Sequence, residues 1–252
     1  MKLIPLALFI LLSYDLYCAK PRAGIYRGIL LIDQQRNTEL PFIFELRYRW
    51  RKPAITIYNA DERIKVTDIR IKGDSLNFKM PVFDTEFRTK VTPGGLRGVW
   101  INHYRKSENV IPFTATFGQQ ARFFPETTES DKNIEGKWEC VFGPETKSPE
   151  KAIGRFHHVE QTSHISGTFL TETGDYRYLE GLLHNDTVRL STFDGSHAFL
   201  FTALLRNDSL VNGTFYSGSH WQQNWTGWRN PDFELRDPEQ ITFVSDTGKT
   251  IG

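Results

Sequence analysis

The stretch that decides the fold is Asn185–Phe215, with the sequence NDTVRLSTFDGSHAFLFTALLRNDSLVNGTF. Apolar and polar residues alternate through much of it, and short turns that contain Asn, Asp or Gly separate the alternating runs. A period of two is typical of β-strands with one buried face and one face in water. The stretch therefore predicts an antiparallel meander.

An earlier stretch, Gly73–Trp100, repeats the same plan of turns and strands. Equivalent positions lie at nearly constant separations in the chain. Asp74 and Asp186 are 112 residues apart, and Phe83 and Phe193 are 110 residues apart. Because a nearly fixed separation is the signature of an internal repeat, the chain is predicted to contain two copies of one module.

The sequence after residue 20 predicts an all-β protein built from two repeated antiparallel meander modules. Apolar residues at helical spacing are nearly absent, whereas short alternating runs bounded by turn residues are frequent in both halves. We expect up-and-down barrels of lipocalin or avidin type, or strongly curled sheets. The predicted boundaries are a first module at 22–117, a linker at 118–135, a second module at 136–233, and a tail at 234–252 that leads toward a further domain.

The charge balance argues against a nucleic-acid partner. The chain of 252 residues has 31 basic and 30 acidic side chains, and its formal net charge is +1. Both signs are spread along the chain, so no long-range field attracts a polyanion. We therefore predict no nucleic-acid binding.

The N-terminus predicts export to the periplasm or cell envelope. Met1-Lys2 is followed by the apolar run Leu3–Leu12, which has the length of a signal-peptide core and is too short to span a bilayer. Residues 1–19 are the predicted signal peptide. Cleavage after Ala19 would give a soluble protein, whereas Cys18 is a candidate lipid anchor. Contact with a membrane is expected only through such an anchor.

Cys140 is the one cysteine that remains once the leader is removed, so no internal disulfide is predicted. It alternates with Glu139 and shares a predicted strand face with Trp138 and Phe142. This pattern favours a small buried apolar side chain. A mixed disulfide with a partner protein is the alternative.

The sequence predicts no catalytic residue, cofactor or metal site. His157 and His158 are adjacent, so on a strand they point to opposite faces and cannot bind one ion. Asp194, Ser196 and His197 are the ingredients of a hydrolytic triad, but they lie within one tight turn, where side chains diverge. A turn capped by Asp194 is the better interpretation.

The segment Ser217–Trp228 is the candidate ligand rim. Tryptophans beside amides and hydroxyls suit a sugar, a peptide or an apolar ligand at the mouth of a barrel. The alternative is a packed barrel lid. The candidate rim residues are Ser219, His220, Trp221, Trp225 and Trp228.

Three Asp-Ser/Thr-aliphatic tripeptides begin predicted strands. Their hydroxyl residues, Ser75, Thr187 and Ser209, match an acceptor pattern for O-glycans in Bacteroidota. They are therefore candidate glycan acceptors. The alternative is that each Asp bonds the backbone where a turn enters a strand.

Longer runs in both modules resemble a known family. In the second module these are Gly167–Gly181 (GTFLTETGDYRYLEG), Leu190–Phe201 and Gly213–Trp221. In the first module they are Met80–Phe87 and Leu96–Trp100. These runs resemble the N-terminal β-rich region of TlpA-like thioredoxin-family proteins of Bacteroidota, which are exported thiol-disulfide oxidoreductases.

The resemblance implies that this chain is an accessory region without the catalytic domain. In the family a thioredoxin fold with a Cys-x-x-Cys pair follows the β-rich region, and this chain contains no such pair. The expected role is to bind client or partner proteins, and thiol-disulfide exchange would take place in the following domain. The alternative is a free-standing lipocalin- or avidin-like envelope protein for a small ligand. Whether the chain has enzymatic activity of its own stays open.

Overall fold

The computed structural model describes residues 20–124, 132–236, 243–244 and 250–251. The predicted signal peptide at 1–19, with the candidate anchor Cys18, lies outside these residues. So do parts of the predicted linker and tail. Within the described residues, all regular secondary structure is β-strand.

The first half of the chain forms one antiparallel sheet of nine strands. Their bounds are β1 Gly24–Asp33, β2 Thr38–Arg49, β3 Lys52–Asn59, β4 Glu62–Val66, β5 Ile69–Lys72, β6 Ser75–Lys79, β7 Thr85–Thr92, β8 Gly95–Asn102 and β9 Val110–Phe117. Their order in the sheet is β4-β3-β2-β1-β9-β8-β7-β6-β5. We call this sheet barrel 1. Barrel 1 is nearly closed: its two edge strands, β4 and β5, do not pair with each other and leave one gap.

The second half forms another nine-stranded antiparallel sheet, barrel 2. Its strands are β10 Gly136–Phe142, β11 Glu150–His158, β12 His164–Thr171, β13 Gly174–Asp175, β14 Leu179–His184, β15 Thr187–Phe193, β16 Ala198–Arg206, β17 Ser209–Ser217 and β18 Trp221–Arg229. Their order is β11-β10-β18-β17-β16-β15-β14-β12-β13, and β11 also pairs with β12. That extra pairing closes the barrel. A short hairpin, β19 Phe243–Val244 with β20 Thr250–Ile251, lies near the C-terminus.

The predicted fold class is confirmed, since the described structure is all-β with two antiparallel barrels. The repeat is visible in the strand order. The run β5-β6-β7-β8-β9-β1-β2-β3 in barrel 1 has the same connectivity as β14-β15-β16-β17-β18-β10-β11-β12 in barrel 2. Asp74 and Asp186, which define the repeat in the sequence, each precede the second strand of these runs.

Aromatic rings fill the interior of barrel 2. Phe201 stacks on Phe215 with 4.5 Å between the ring centroids, and Phe169 lies 4.7 Å from Phe201. Stacked and edge-on pairs at such distances stabilise a core beyond the area that they bury. The buried rings of this core are Trp138, Phe142, Phe156, Phe169, Phe199, Phe201, Phe215 and Trp225. The interior is therefore a packed core.

The core of barrel 1 contains side chains from barrel 2. Phe193, at the end of β15, has no exposed surface, and its ring lies 4.7 Å from that of Phe42 on β2. It also meets Phe87 and Trp100 edge-on, with 5.5 Å between the centroids in each pair. The side chain of Asn59 pairs with the Phe193 backbone: Nδ2 donates to the carbonyl oxygen at 2.9 Å, and Oδ1 accepts from the amide at 3.2 Å. The β15–β16 hairpin thus closes one end of barrel 1.

A buried arginine joins the two barrels beside this plug. Arg122 follows β9, and its side chain is 4% exposed. On the barrel 1 side, its Nη2 donates to the Tyr58 carbonyl at 2.6 Å. On the barrel 2 side, Nη2 donates to Glu180 Oε2 at 2.9 Å and Nη1 donates to Ser191 Oγ at 3.2 Å. Because a buried charge is costly unless it is paired and hydrogen-bonded, these bonds fix the barrels against each other.

Candidate binding cleft between the barrels

A cleft of about 420 Å³ lies where the β17–β18 hairpin of barrel 2 meets barrel 1. Barrel 1 contributes Leu31–Gln35, at the β1–β2 turn, and Val110–Pro112, at the start of β9. Barrel 2 contributes Tyr216 and Gly218–Gln222. The volume is in the range of small-ligand sites in proteins, and both barrels are needed to form it.

Hydrogen bonds hold the β17–β18 hairpin against barrel 1 and so shape the cleft. Arg36 Nη1 donates to Gln222 Oε1 at 2.7 Å. On the other side of the hairpin tip, Arg105 Nη2 lies 2.8 Å from His220 Nε2. Because the arginine is always a donor, Nε2 of His220 must accept.

The environment of His220 favours its neutral form. Burial lowers the pKa of His220 first, and the positive charge of Arg105 lowers it further. The neutral ring accepts a hydrogen bond at Nε2, so Nδ1 carries the proton and is a donor. At neutral pH the lining therefore contains a neutral imidazole that is protonated at Nδ1.

Trp221 is the rim tryptophan that lies in the cleft. Its side chain is 53% exposed, at the first position of β18. Ser219, His220 and Gln222 flank it in the lining. An exposed indole beside amides gives an apolar face next to donors and acceptors, which is the combination that the sequence predicted for a rim.

The other two rim tryptophans lie elsewhere. Trp225 is 1% exposed and packs inside barrel 2, where its ring stacks on Phe142 at 6.0 Å, so it belongs to the core instead of the rim. Trp228 is 40% exposed, but it lies seven residues along β18 from Trp221. At roughly 3.3 Å per residue, the two indoles are about 23 Å apart along the strand. A strand spreads residues that look clustered in the sequence.

The sequence analysis missed the barrel 1 wall of the cleft. Asp33 accepts from the Gln35 and Arg36 amides through Oδ1, at 2.9 and 3.0 Å, which fixes the β1–β2 turn. This turn looks like any other hydrophilic turn in the sequence. Its place in the cleft depends on how the barrels dock, which no local pattern records.

The Asp194 turn has the geometry expected of a capped turn. Asp194 Oδ1 accepts from the Ser196 and His197 amides at 2.9 and 2.7 Å, and Oδ2 lies 2.8 Å from His197 Nδ1. Arg177 Nε lies 3.2 Å from the same Oδ2. The carboxylate thus shapes the hairpin that carries Phe193 into barrel 1.

Cys140 is buried with no exposed surface in barrel 2. Burial in apolar surroundings raises the pKa of its thiol to about 12. Since the thiolate is the nucleophile, this thiol is unreactive in the folded protein at neutral pH. The predicted buried apolar role fits this environment.

The three candidate glycan acceptors are partly exposed. Ser75, Thr187 and Ser209 are each the first residue of a strand, directly after a turn. Their hydroxyls are accessible in part, and modification of them stays a prediction.

No group of three or more His, Cys, Asp or Glu side chains in the described ranges could hold a metal ion. The described part of the chain also contains no helix with the length and hydropathy that crossing a bilayer requires.

Comparison with known proteins gives little. No family model and no curated protein matches the chain. Among solved structures, a protein of unknown function from the DUF3598 family of Nostoc punctiforme is similar. It is 8% identical, with a TM-score of 0.25, over 82% of this chain and 94% of that chain. At this TM-score the likeness indicates nothing about function.

Proposed function

We propose that this chain is a binding module, and that the interbarrel cleft holds a short extended segment of a client or partner polypeptide. The single observation that supports it is the cleft at Trp221, which both barrels line with an exposed indole and side-chain amides. The sequence resemblance adds a context, the exported thiol-disulfide oxidoreductases whose N-terminal β-rich region this chain resembles.

The chemistry of the cleft suits a peptide backbone. Gln34 and Gln35 each offer a side-chain donor and acceptor, and Gln222 offers its amide N–H groups while its Oε1 accepts from Arg36. These groups match the N–H and C=O groups of an extended chain. Trp221 supplies a flat apolar face for a side chain of the bound segment. One carboxylate, Asp33, lines the cleft, so the recognition is mainly neutral and tolerates many sequences.

A small ligand in the same cleft is the second candidate, favoured by the volume of about 420 Å³. A ligand has no space inside either barrel, where lipocalins bind theirs, because side chains fill both interiors. Phe42, Phe87 and Phe113 fill barrel 1, while Phe169 and Phe201 fill barrel 2. The cleft is therefore the site to test for either class of ligand.

The test uses carboxymethylated, permanently unfolded α-lactalbumin as a model client and neutral oligosaccharides as the small-ligand probe. We expect the model client to bind, and Trp221→Ala to weaken that binding by about tenfold, the loss of one aromatic contact of ~1.4 kcal/mol. Trp228→Ala is the matched control, because Trp228 is also exposed but does not line the cleft. Its affinity should equal that of the wild type.

Equal weakening by Trp221→Ala and Trp228→Ala would reject the cleft as the site. Saturable binding of an oligosaccharide at the cleft, with no binding of the unfolded client, would replace the proposed function by the second candidate.

A further inference from the structure

The hairpin between β2 and β3 presents an aromatic and basic tip at the end of barrel 1 away from barrel 2. Trp50 is 89% exposed, and it forms the two-residue turn with Arg51. Pro41, near the start of β2, bonds to Arg122 at the interbarrel contact. At roughly 3.3 Å per residue, the end of β2 at Arg49 is about 26 Å farther along the strand.

The backbone conformation of this turn is energetically unfavourable for Trp50 and Arg51. Trp50 and Arg51 have φ values of 52° and 63°, the positive sign that a type I′ hairpin turn requires at both central positions. Such turns favour Asn and Gly, and the chain uses Asn at comparable turns: Asn185 and Asn207 have φ values of 51° and 53°. A bulky aromatic residue at positive φ is unusual, and Trp50 packs too little within the barrel to account for it.

Cations surround the exposed indole. Arg49, Arg51 and Lys52 flank Trp50 and form no ion pair within the described residues. Arg47, two residues before Arg49 on β2, forms an ion pair with Glu45 at 2.7 Å. From residue 46 to residue 53 there is no acidic side chain. The tip therefore carries uncompensated positive charge although the whole chain is nearly neutral.

The N-terminal segment runs beside the same tip. Tyr48 donates from its hydroxyl to the Pro21 carbonyl at 2.9 Å. Arg22 Nη2 donates to the Pro93 carbonyl of the neighbouring β7–β8 turn at 2.9 Å, and its guanidinium lies over the Phe117 ring. Lys20, the first described residue, adds another cation here. The described part of the chain thus begins at this end of barrel 1.

We propose that this basic tip, formed by Lys20, Arg22, Tyr48, Arg49, Trp50, Arg51 and Lys52, docks on the surface of an anionic lipid bilayer. Tryptophan and tyrosine sit at the headgroup level of membranes, and lysine and arginine are attracted to anionic headgroups. Trp50 enters the interface while the cations bind the lipid phosphates. Barrel 2 and the cleft then project away from the membrane.

The charge pattern favours a bilayer over an acidic protein. Cations from two separate segments lie around one exposed aromatic tip. A planar anionic surface binds such a tip without a groove that selects a peptide shape. An acidic protein partner is the outcome to which the test gives a separate signal.

The test measures quenching of tryptophan emission in the full chain by vesicles of brominated phosphatidylglycerol. We expect quenching at low salt, and Trp50→Phe should abolish most of it. Trp221→Phe is the matched control, because it removes another exposed indole, on barrel 2. It should leave the quenched component intact. The readout is positional, because it reports which indole lies at the bilayer interface.

A triple variant, Arg49→Gln with Arg51→Gln and Lys52→Gln, tests the charges. Its vesicle affinity should fall by about a hundredfold, since each cation near an anionic surface contributes roughly a factor of five. Vesicles of brominated phosphatidylcholine should quench Trp50 less. Unchanged quenching in Trp50→Phe would overturn the proposal. So would tight binding of poly-glutamate without any vesicle-induced quenching, which would assign the tip to an acidic protein.

Discussion

Barrel 2 is a closed barrel, whereas the core of barrel 1 is completed by a side chain from barrel 2. The pairing of β11 with β12, from Ala152 opposite Thr171 to His158 opposite Ile165, leaves barrel 2 without a gap. In barrel 1 the edge strands β4 and β5 do not pair, whereas β12 pairs with β14 at the corresponding place in barrel 2, and Phe193 of barrel 2 enters the barrel 1 core.

The difference shows how one repeat can serve two roles. Phe83 and Phe193 occupy equivalent positions in the repeat, each followed by an aspartate. Phe83 is half-buried and meets His197 edge-on at 6.2 Å, while Phe193 lies in the core of the other barrel. The two barrels are therefore similar in sequence but differ in packing, because barrel 1 needs a side chain of barrel 2 to complete its core.

The largest expected effect comes from Phe193→Ala. Removal of a fully buried phenylalanine leaves a cavity and costs about 4 kcal/mol of unfolding free energy. Phe83→Ala is the matched control at the equivalent repeat position, and it should cost about 1 kcal/mol because that ring is only half-buried. Urea unfolding checks both values. Equal costs would contradict the asymmetry between the barrels.

The next largest effect is expected for Arg122→Met. The change removes the cation beside Glu180 and the donor to the Tyr58 carbonyl, so the folded state should lose about 3 kcal/mol. Arg88→Met removes an exposed arginine paired with Glu86 and should change stability by no more than about 0.5 kcal/mol. If both variants unfold at the same urea concentration, Arg122 does not hold the barrels together.

A smaller loss of folding stability is expected at acidic pH. Burial alone would raise the pKa of Glu180, but the hydrogen bond from His164, the charge of Arg122 and the Ala60 amide together lower it to about 2. Because the folded pKa lies below the unfolded value of about 4.3, the stabilisation is complete above that value and disappears as the pH falls toward 2.

The Glu180 contribution should amount to roughly 2–3 kcal/mol, from about 1.4 kcal/mol per pKa unit. Urea unfolding between pH 6 and pH 2, in the wild type and in Glu180→Gln, measures it. We expect a shallower acid-induced loss of stability in the variant. An identical slope in both proteins would show that this carboxylate does not contribute to the contact between the barrels.

The smallest effect on stability is expected for Trp221→Ala. The side chain is 53% exposed and lies in the cleft outside both cores, so the unfolding free energy should change by no more than about 0.5 kcal/mol. Thermal unfolding checks this value. A large loss would show that Trp221 packs the interbarrel contact and is not available to a ligand.

The sequence predicts the strands and the repeat because alternation and turn residues are local signals. Asp74 and Asp186 appear at nearly the predicted places, before equivalent strands. The number of strands per module was harder to predict, since only two residues separate β4 from β5 and β13 has only two residues.

The candidate site was predictable only in part. Trp221 is exposed and Trp225 is buried, although both have the same parity on β18. The inner face of a strand is buried only within the barrel, and Trp221 lies at the strand's end, beyond the core. The plug at Phe193 and the buried Arg122 arise from docking between distant segments, which periodicity does not encode.

The most direct test of the central claim, that barrel 1 depends on barrel 2, is hydrogen exchange resolved by peptide in Phe193→Ala and Phe201→Ala. Phe193→Ala should speed exchange in β1–β9 by about a thousandfold, the equivalent of about 4 kcal/mol, and leave β10–β18 nearly unchanged. Phe201→Ala, in the core of barrel 2, should speed exchange in both barrels. If Phe193→Ala changes both barrels equally, or leaves barrel 1 protected, the barrels do not have the dependence described above.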